Sequence, residues 1–487
     1  SDGGGVLDHL QRAHKSTLRT LDLSKIQLGD RGGTRFFESL QQGQCIYLEE
    51  LKLSSNKLTD AAVGLLFVEV LRSEQCSLTS LDISNNAISA TVVARAIKLN
   101  RSLTALDMRE NPVQDDGLWL MGGLLLQDDC QCQLRAIKCY AFEVEADATE
   151  LGLRGQQLEP GAYRMLAGVL KFNKSITDVD LSATGVETQA ACSLAVAFHH
   201  NQSIITLDIS NNPLCTLDQP AYNLQGQSDF KGVYALADAV HCNKTLQKLV
   251  LEGGELPVSA LKGLNAKTSR TLDLAHQSLT FVSSVFIGAL VQGNTSITEL
   301  NLNTNDTGPD GLAAVVNQLN PTTLKTLDIS NNVRAIAEAK FMTMEAMKDF
   351  KVQLSRQSQQ LALLTEAMGR MVGLEKLSMD KNQISEIASM GNMLSLKTLS
   401  LSGNKLLTLP EDVCQLRSLK KLAVHGNKLY ELHASIGLLA SLETLDLRSN
   451  QLTYLPVSIG QLHALKHLDI AENKLTSLVL SICDLGN

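Results

Sequence analysis

The chain has 487 residues and a formal charge of −8 at pH 7, with 44% hydrophobic, 19% charged and only 4% aromatic side chains. An acidic balance of this kind excludes the broadly basic surface that nucleic acids and anionic lipids attract. The apolar runs are shorter than the ~18 to 20 residues that a membrane-spanning helix needs. We therefore predict no nucleic-acid partner and no membrane insertion.

A frame of the form L-x-x-L-x-L-x-x-N-x-L recurs in one phase along nearly the whole chain, giving about 17 units. Clear copies begin at Leu48, Leu78, Leu103, Ile204, Ile297, Leu324, Leu374, Leu396, Leu419, Leu442 and Leu465. Weaker copies begin at Leu18, Leu134, Ala148, Ile176, Leu246 and Ser269. The L-x-L alternation predicts a short strand with one apolar face, and stacked units then form a parallel sheet.

The Asn of each frame follows the strand, where the chain must turn inside the stack. Its amide both donates and accepts hydrogen bonds, so it suits unpaired backbone groups of adjacent units. Between the strands, apolar residues three and four apart predict helices at residues 61–71, 163–170, 189–198 and 281–290. The fold class that follows is an α/β solenoid, a horseshoe with a parallel sheet on its concave face and helices and loops on its convex face.

Two repeat classes follow one another. Residues 158–176, LEPGAYRMLAGVLKFNKSI, carry a pattern that resembles the ribonuclease-inhibitor-like leucine-rich repeats of NOD-like receptors and RanGAP-type GTPase activators. Residues 406–416 and 452–462 carry L-x-x-L-P-x-x-[IV]-x-x-L, which resembles the short repeats of Ras-binding scaffolds and plant Ras-group proteins. We expect a first array over 1–334, a helical insertion over 335–373 and a short-repeat array over 374–487.

Three intervals between frames depart from the regular spacing. The 14 residues from Leu134 to Ala148 predict a return by a tight loop. The 42 residues from Ile204 to Leu246 predict an exposed loop around 218–229. The 50 residues from Leu324 to Leu374 contain a stretch rich in strong helix formers, which predicts one long helix within 334–371.

This long helix carries an apolar stripe with a spacing of three and four residues. Its members are Met347, Phe350, Leu354, Leu361, Leu364, Met368 and Met371. Two interpretations stay open: the stripe packs back onto the solenoid, or it docks a helix of a partner, for which adaptable Met side chains are suited. At both ends the repeat phase is incomplete, so we also expect a fragment of a longer polypeptide.

One column of acidic residues lies between the two strand leucines. It consists of Asp22, Asp82, Asp107, Asp180, Asp208, Asp273, Asp328, Asp446 and Asp469. With strands ~4.8 Å apart, these carboxylates would form a negative stripe on the concave face that attracts a basic partner. The alternative is that Asp merely belongs to the L-D-L-S consensus and is offset by nearby lysines.

No sequence motif of a known catalytic class occurs in a suitable context, so we predict no enzyme, no catalytic residue, no cofactor and no metal. Cys130, Cys132 and Cys139 lack paired zinc knuckles and are interpreted as ordinary thiols. We predict that no histidine has a Cys or Asp neighbour in the repeat frame. The scattered cysteines favour a reduced, cytoplasmic protein, and the six Asn-x-Ser/Thr sequons favour a repeat consensus over glycosylation.

The sequence thus predicts a scaffold or recognition module that binds a protein on its concave face or on its inserted helix. Resemblance to both repeat classes implies a second possibility, the regulation of a small GTPase. A third is the sensor or targeting array of a larger multidomain protein. The partner would be a protein, such as a small GTPase or a subunit of a larger assembly.

Overall fold

The structure is a computed structural model that describes residues 17–41, 47–71, 73, 76–214, 230–252, 254–264, 270–335 and 344–485. The chain forms two compact units, Ser1–Val250 and Leu251–Asn487. Each unit is a stack of short strands alternating with helices or helical turns. The loop predicted around 218–229 lies outside the described residues.

The first unit contains two sheets whose strands follow one another in chain order. The first sheet consists of β1 (Thr20–Asp22), β2 (Glu50–Lys52), β3 (Ser80–Asp82), β4 (Ala105–Asp107), β5 (Ala136–Lys138) and β6 (Glu143–Val144). The second sheet includes β7 (Glu150–Gly152), β8 (Asp178–Asp180), β9 (Thr206–Asp208) and β10 (Lys248–Leu251). All neighbouring pairs among these strands are parallel except β5 and β6, which are antiparallel.

The second unit has a single parallel sheet of eight strands in chain order, preceded by the short strand β11 (Gly254–Pro257). The eight are β12 (Thr271–Asp273), β13 (Glu299–Asn301), β14 (Thr326–Asp328), β15 (Lys376–Ser378), β16 (Thr398–Ser400), β17 (Lys421–Ala423), β18 (Thr444–Asp446) and β19 (His467–Asp469). The predicted parallel stacking of the L-x-L strands is confirmed.

Burial explains why these three-residue segments form strands. The central leucines Leu377, Leu399 and Leu422 pair in register across β15, β16 and β17, and all three are completely buried. The residues on either side of each central leucine point to the other, open face of the sheet. A slip by one residue would expose the whole leucine column, so the apolar pattern fixes the register.

Helices run between most strands up to residue 316. They are α1 (Gly29–Gln41), α2 (Asp60–Leu65), α3 (Ala90–Leu99), α4 (Asp115–Leu126), α5 (Pro160–Phe172), α6 (Thr188–His200), α7 (Lys231–Cys242), α8 (Val258–Leu261), α9 (Phe281–Val291) and α10 (Gly308–Val316). The helices predicted at 163–170, 189–198 and 281–290 are confirmed. The one predicted over 61–71 is α2 followed by a π-helical turn, Leu66–Val70.

The shorter repeats have no room for full helices. After α11 (Met344–Met368), 3-10 turns lie between successive strands at Glu411–Gln415, Ala434–Leu438 and Val457–Gln461, and a fourth, Leu480–Asp484, follows β19. Pro410 and Pro456 stand just before two of these turns, where their fixed φ suits the entry into a helical turn. In these two repeats the L-P motif therefore marks the position at which the chain turns back. Within the described residues, no helix is both long and apolar enough to cross a bilayer.

The recurring frame Asn ties its unit to the one before it, as the Asn404 side chain illustrates. Its amide nitrogen donates to the carbonyls of Met379 at 3.0 Å and Leu401 at 2.8 Å. Its amide oxygen accepts the N–H groups of Asn382 at 2.9 Å and Ile384 at 3.1 Å. One buried side chain thus satisfies four backbone groups, which confirms the predicted structural role.

A second set of buried asparagines precedes the strands and includes five of the six sequons, while the sixth sequon, Asn305, is itself a frame Asn. The side-chain nitrogens of all six each donate to a backbone carbonyl of an earlier unit at 2.7–2.9 Å. The six are Asn100, Asn173, Asn201, Asn243, Asn294 and Asn305, and none is more than 9% exposed. A nitrogen committed in this way inside the fold is not accessible to a glycan, so the repeat-consensus interpretation is supported.

Two variants that remove the same sequon should differ in stability. Asn201 donates to the carbonyls of Leu170 and Asn173 and accepts two backbone N–H groups. Ser203 makes only contacts of 3.2 and 3.3 Å through its hydroxyl. We expect Asn201→Ala to lower the free energy of unfolding by about 3 kcal/mol and Ser203→Ala by less than about 1 kcal/mol. Urea unfolding followed by circular dichroism measures both, and equal losses would contradict the buried-asparagine account.

The short interval after Leu134 returns by a β-hairpin rather than by an irregular loop. Ile137 pairs with Val144 and Lys138 with Glu143 in antiparallel register. The turn is closed by the Cys139 N–H, which donates to the Phe142 carbonyl at 3.1 Å. The predicted tight return is therefore present, and it ends the first sheet with an antiparallel strand.

Candidate protein-binding face

The nine aspartates of the predicted column all occupy one position, the last residue of a strand. Each carboxylate accepts the backbone N–H two residues further on, at 2.9–3.2 Å. This local Asx turn ends the strand and leads the chain toward the buried Asn. The column therefore has a structural role in each of these nine units, and one oxygen of each carboxylate is committed to it.

Two of these carboxylates lie beside a basic side chain. Arg109 binds Asp107 through two nitrogens, at 3.0 and 2.6 Å, and its other arm reaches Glu143 at 2.9 Å. The His425 Nδ1 atom lies 2.9 Å from the Asp446 carboxylate. At Asp107 the negative charge is offset from within the chain, as the consensus interpretation expects.

On the open face of the second unit, charges of opposite sign balance one another. The residues just before strands β14 to β19 form ion pairs there. Glu375 lies 3.9 Å from Lys325 and 2.6 Å from Lys397. Glu443 lies 3.1 Å from Lys420 and 2.6 Å from Lys466. Hydrogen bonding from Lys397 lowers the pKa of Glu375, and hydrogen bonding from Lys466 and Lys420 lowers that of Glu443. These exposed charges pair with one another instead of presenting one sign.

The strands β7 to β10 differ, because acidic side chains there face one another. Asp180 and Asp208 are opposite in register on β8 and β9, and each receives a serine hydroxyl, from Ser182 at 2.6 Å or Ser210 at 2.7 Å. Asp178 is on the same side of β8 as Asp180, since residues two apart share a face. Among the described residues, no ion pair includes Asp180 or Asp208.

We call the outward side of these four strands the β7–β10 face. Glu150 of β7 lies opposite Asp178 of β8 in the strand register, which adds a further carboxylate to this face. The hydroxyls of Thr177 and Thr206, in that order, and the charge of Lys248 lower the pKa of Asp178, so it stays ionised near neutral pH. Four carboxylates against one strand lysine make this face acidic.

The stripe on α11 is divided along its length. Leu361, Leu364 and Met368 are at most 2% exposed, and Met371 just beyond the helix is equally buried. Leu354 is 38% exposed. The side chains of Met347 and Phe350 lie outside the described residues.

Polar contacts fix the same half of the helix. The Thr365 hydroxyl accepts the Ala388 N–H at 3.0 Å, and Gln357 donates to the Arg334 carbonyl at 3.1 Å. Burial of Leu361, Leu364 and Met368 within the second unit favours the first of the two interpretations for these residues, that the stripe packs back onto the repeats. Among the described side chains of α11, Val352, Leu354 and Leu363 are exposed apolar residues, at 57%, 38% and 57%.

The structure agrees with the interpretation of the three cysteines and disagrees with the prediction for the histidines. Cys130, Cys132 and Cys139 each direct their sulfur to a backbone carbonyl, at 3.3–3.7 Å, and burial raises the pKa of the Cys132 thiol to about 12. They act as ordinary thiols. The prediction that no histidine has a Cys or Asp neighbour is wrong, because His199 lies beside Asp238 and Cys242. The four-residue spacing of Asp238 and Cys242 on one helix was the signal available in the sequence.

The stacked strands, the asparagine ladder and the returning helices define a leucine-rich-repeat protein. Family models described as leucine-rich repeat match residues 14–37, 44–66, 74–91, 99–118, 293–316, 395–416 and 417–475. The chain belongs to the leucine-rich-repeat superfamily, and its repeats include the ribonuclease-inhibitor-like type.

Several curated proteins are similar to about half of the chain. The mouse NACHT, LRR and PYD domains-containing protein 12 is 29% identical over 276 residues, 54% of this chain and 23% of that protein. Its human counterpart is 28% identical over 274 residues, with the same shares. The mouse ribonuclease inhibitor is 23% identical over 311 residues, 54% of this chain and 66% of that protein. The chain thus spans under a quarter of the first two relatives.

Solved structures of bacterial leucine-rich-repeat proteins overlap the chain loosely. A leucine-rich-repeat protein of Leptospira interrogans shares 18% identity with a TM-score of 0.27, over 98% of this chain and 94% of that one. The internalin C2 of Listeria monocytogenes shares 15% identity with a TM-score of 0.33, over 52% of this chain and 90% of that one. Overlaps at these scores have no bearing on function.

Proposed function

We propose that this leucine-rich-repeat chain binds a protein partner and that the β7–β10 face holds a basic segment of it. The superfamily consists of protein-binding modules, and the acidic β7–β10 face is the observation that carries the finer proposal. Asp180 and Asp208 each keep one oxygen outside the Asx turn. A lysine or arginine of a partner would pair with these oxygens without disturbing the turn.

The test removes charge and keeps shape. Asparagine retains the Oδ1 acceptor of the Asx turn, so Asp180→Asn with Asp208→Asn leaves the strand ends intact. Partners are first identified by pull-down with the wild-type chain and are then purified for calorimetry. We expect the double variant to bind its partner about tenfold more weakly, a loss of ~1.4 kcal/mol, and with a smaller dependence on salt.

The matched control is Asp446→Asn, which makes the same change at a carboxylate that already faces His425. Its affinity should equal that of the wild type. If the double variant binds every recovered partner as tightly as the wild type at low salt, the β7–β10 face is not the binding surface.

The other interpretations of the sequence stay predictions. Regulation of a small GTPase predicts that the chain changes nucleotide hydrolysis or exchange in a panel of such proteins. A sensor or targeting role within a larger polypeptide and a cytoplasmic location are likewise proposals, and the parent transcript and cell fractionation test them.

A further inference from the structure

Three side chains of different chemistry converge where two helices end. His199 is the penultimate residue of α6, and Cys242 is the last residue of α7. Asp238 stands four residues before Cys242, on the same side of α7. One ligand atom from each residue, an imidazole nitrogen, a carboxylate oxygen and a sulfur, lies within 4.8 Å of the other two. This is the one such group among the described residues.

These atoms suit one class of ion. Imidazole, thiolate and carboxylate together favour Zn²⁺, whereas Mg²⁺ and Ca²⁺ favour oxygen ligands alone. Bond lengths of about 2.0–2.3 Å place two tetrahedral zinc ligands about 3.5 Å apart. The three atoms therefore need to approach by at most about 1.3 Å, which rotation of exposed side chains supplies at little cost.

The surrounding backbone favours a cation as well. The helices α6 and α7 run in the same direction, because each leads from one strand of a parallel sheet to the next. Their carboxyl ends therefore lie side by side, and each carries a partial negative charge. This partial charge comes from the backbone and is independent of the three side chains. It adds to the negative charge of Asp238 at the same place.

We infer that His199, Asp238 and Cys242 form a Zn²⁺ site with three protein ligands and an exchangeable water in the fourth position. Binding releases the thiol proton of Cys242, since the thiolate is the metal ligand. The ion joins the ends of two consecutive repeats, so it stabilises their stacking. Because all three residues are exposed, the fourth position is open to solvent.

Cobalt titration tests the site, because Co²⁺ takes zinc positions and is coloured. The full chain is reduced, freed of metal with a chelator and titrated with Co²⁺ alone. We expect one equivalent to produce a thiolate-to-cobalt charge-transfer band and the intense visible bands of tetrahedral cobalt, both abolished by added Zn²⁺. Zn²⁺ should also raise the melting temperature of the chain.

Matched variants decide whether these residues hold the ion. His199→Ala and Cys242→Ser should each weaken cobalt binding at least ~100-fold, and Asp238→Asn should weaken it less because an amide oxygen remains. His200→Ala and Cys483→Ser change a neighbouring histidine and another exposed cysteine, and they should bind as the wild type does. Circular dichroism checks that each variant is folded. A band that persists in Cys242→Ser, or octahedral spectra throughout, would overturn the site.

Discussion

Asn404→Ala should lower the free energy of unfolding of the second unit by about 4 kcal/mol, because four buried backbone groups lose their partner at once. The carbonyls of Met379 and Leu401 lose a donor, and the N–H groups of Asn382 and Ile384 lose an acceptor. Water cannot replace the amide, since Asn404 is only 6% exposed. The loss is therefore much larger than that of a single hydrogen bond.

Urea unfolding measures the total effect, and hydrogen exchange locates it. The amides of Asn382 and Ile384 should exchange faster in the variant, while those of the first unit keep their protection. Asn392→Ala is the control, because it deletes the same atoms from an exposed residue of the same unit and should change stability by less than ~0.5 kcal/mol. Similar losses in both variants would mean that the asparagine ladder is dispensable.

Gly122→Ala should destabilise the first unit by about 2 kcal/mol, although alanine is the better helix former by about 1 kcal/mol. Gly122 lies in α4, and a Cβ atom there would stand 2.4 Å from the backbone of Arg164 and Met165 in α5. Backbone atoms in a packed helix cannot move aside as a flexible side chain does. The two helices would have to separate, and the contacts between them would be lost.

Gly64→Ala makes the same change in α2, where a Cβ atom would meet nothing within 4 Å. We expect this variant to be more stable by about 0.5–1 kcal/mol, so the two substitutions should have opposite signs. Thermal and urea unfolding of both proteins measure the difference. Stabilisation by Gly122→Ala would show that α4 and α5 pack less closely than the structure has them.

The sequence determined the repeat, and with it the strands, the buried leucines and the asparagine ladder. These features follow from local rules, since each unit contains its own L-x-L strand and its own turn residue, as in Leu401 and Asn404. The Asx turns of the aspartate column are equally local. The sequence places the carboxylate of Asp180 two residues before the backbone N–H of Ser182, which is the spacing that an Asx turn needs.

Only the tertiary structure decided which side chains of different units meet. Asp180 and Asp208 become an acidic pair because β8 and β9 align in register, and His199 reaches Asp238 and Cys242 because the irregular interval after Ile204 still returns α7 to the side of α6. The apolar spacing also did not predict the burial of Leu361 and Leu364, since the same spacing occurs in a stripe that packs against the repeats and in one that faces a partner. These encounters depend on distances between units, which the strand register and the helix contacts set. A repeat frame encodes only distances within one unit.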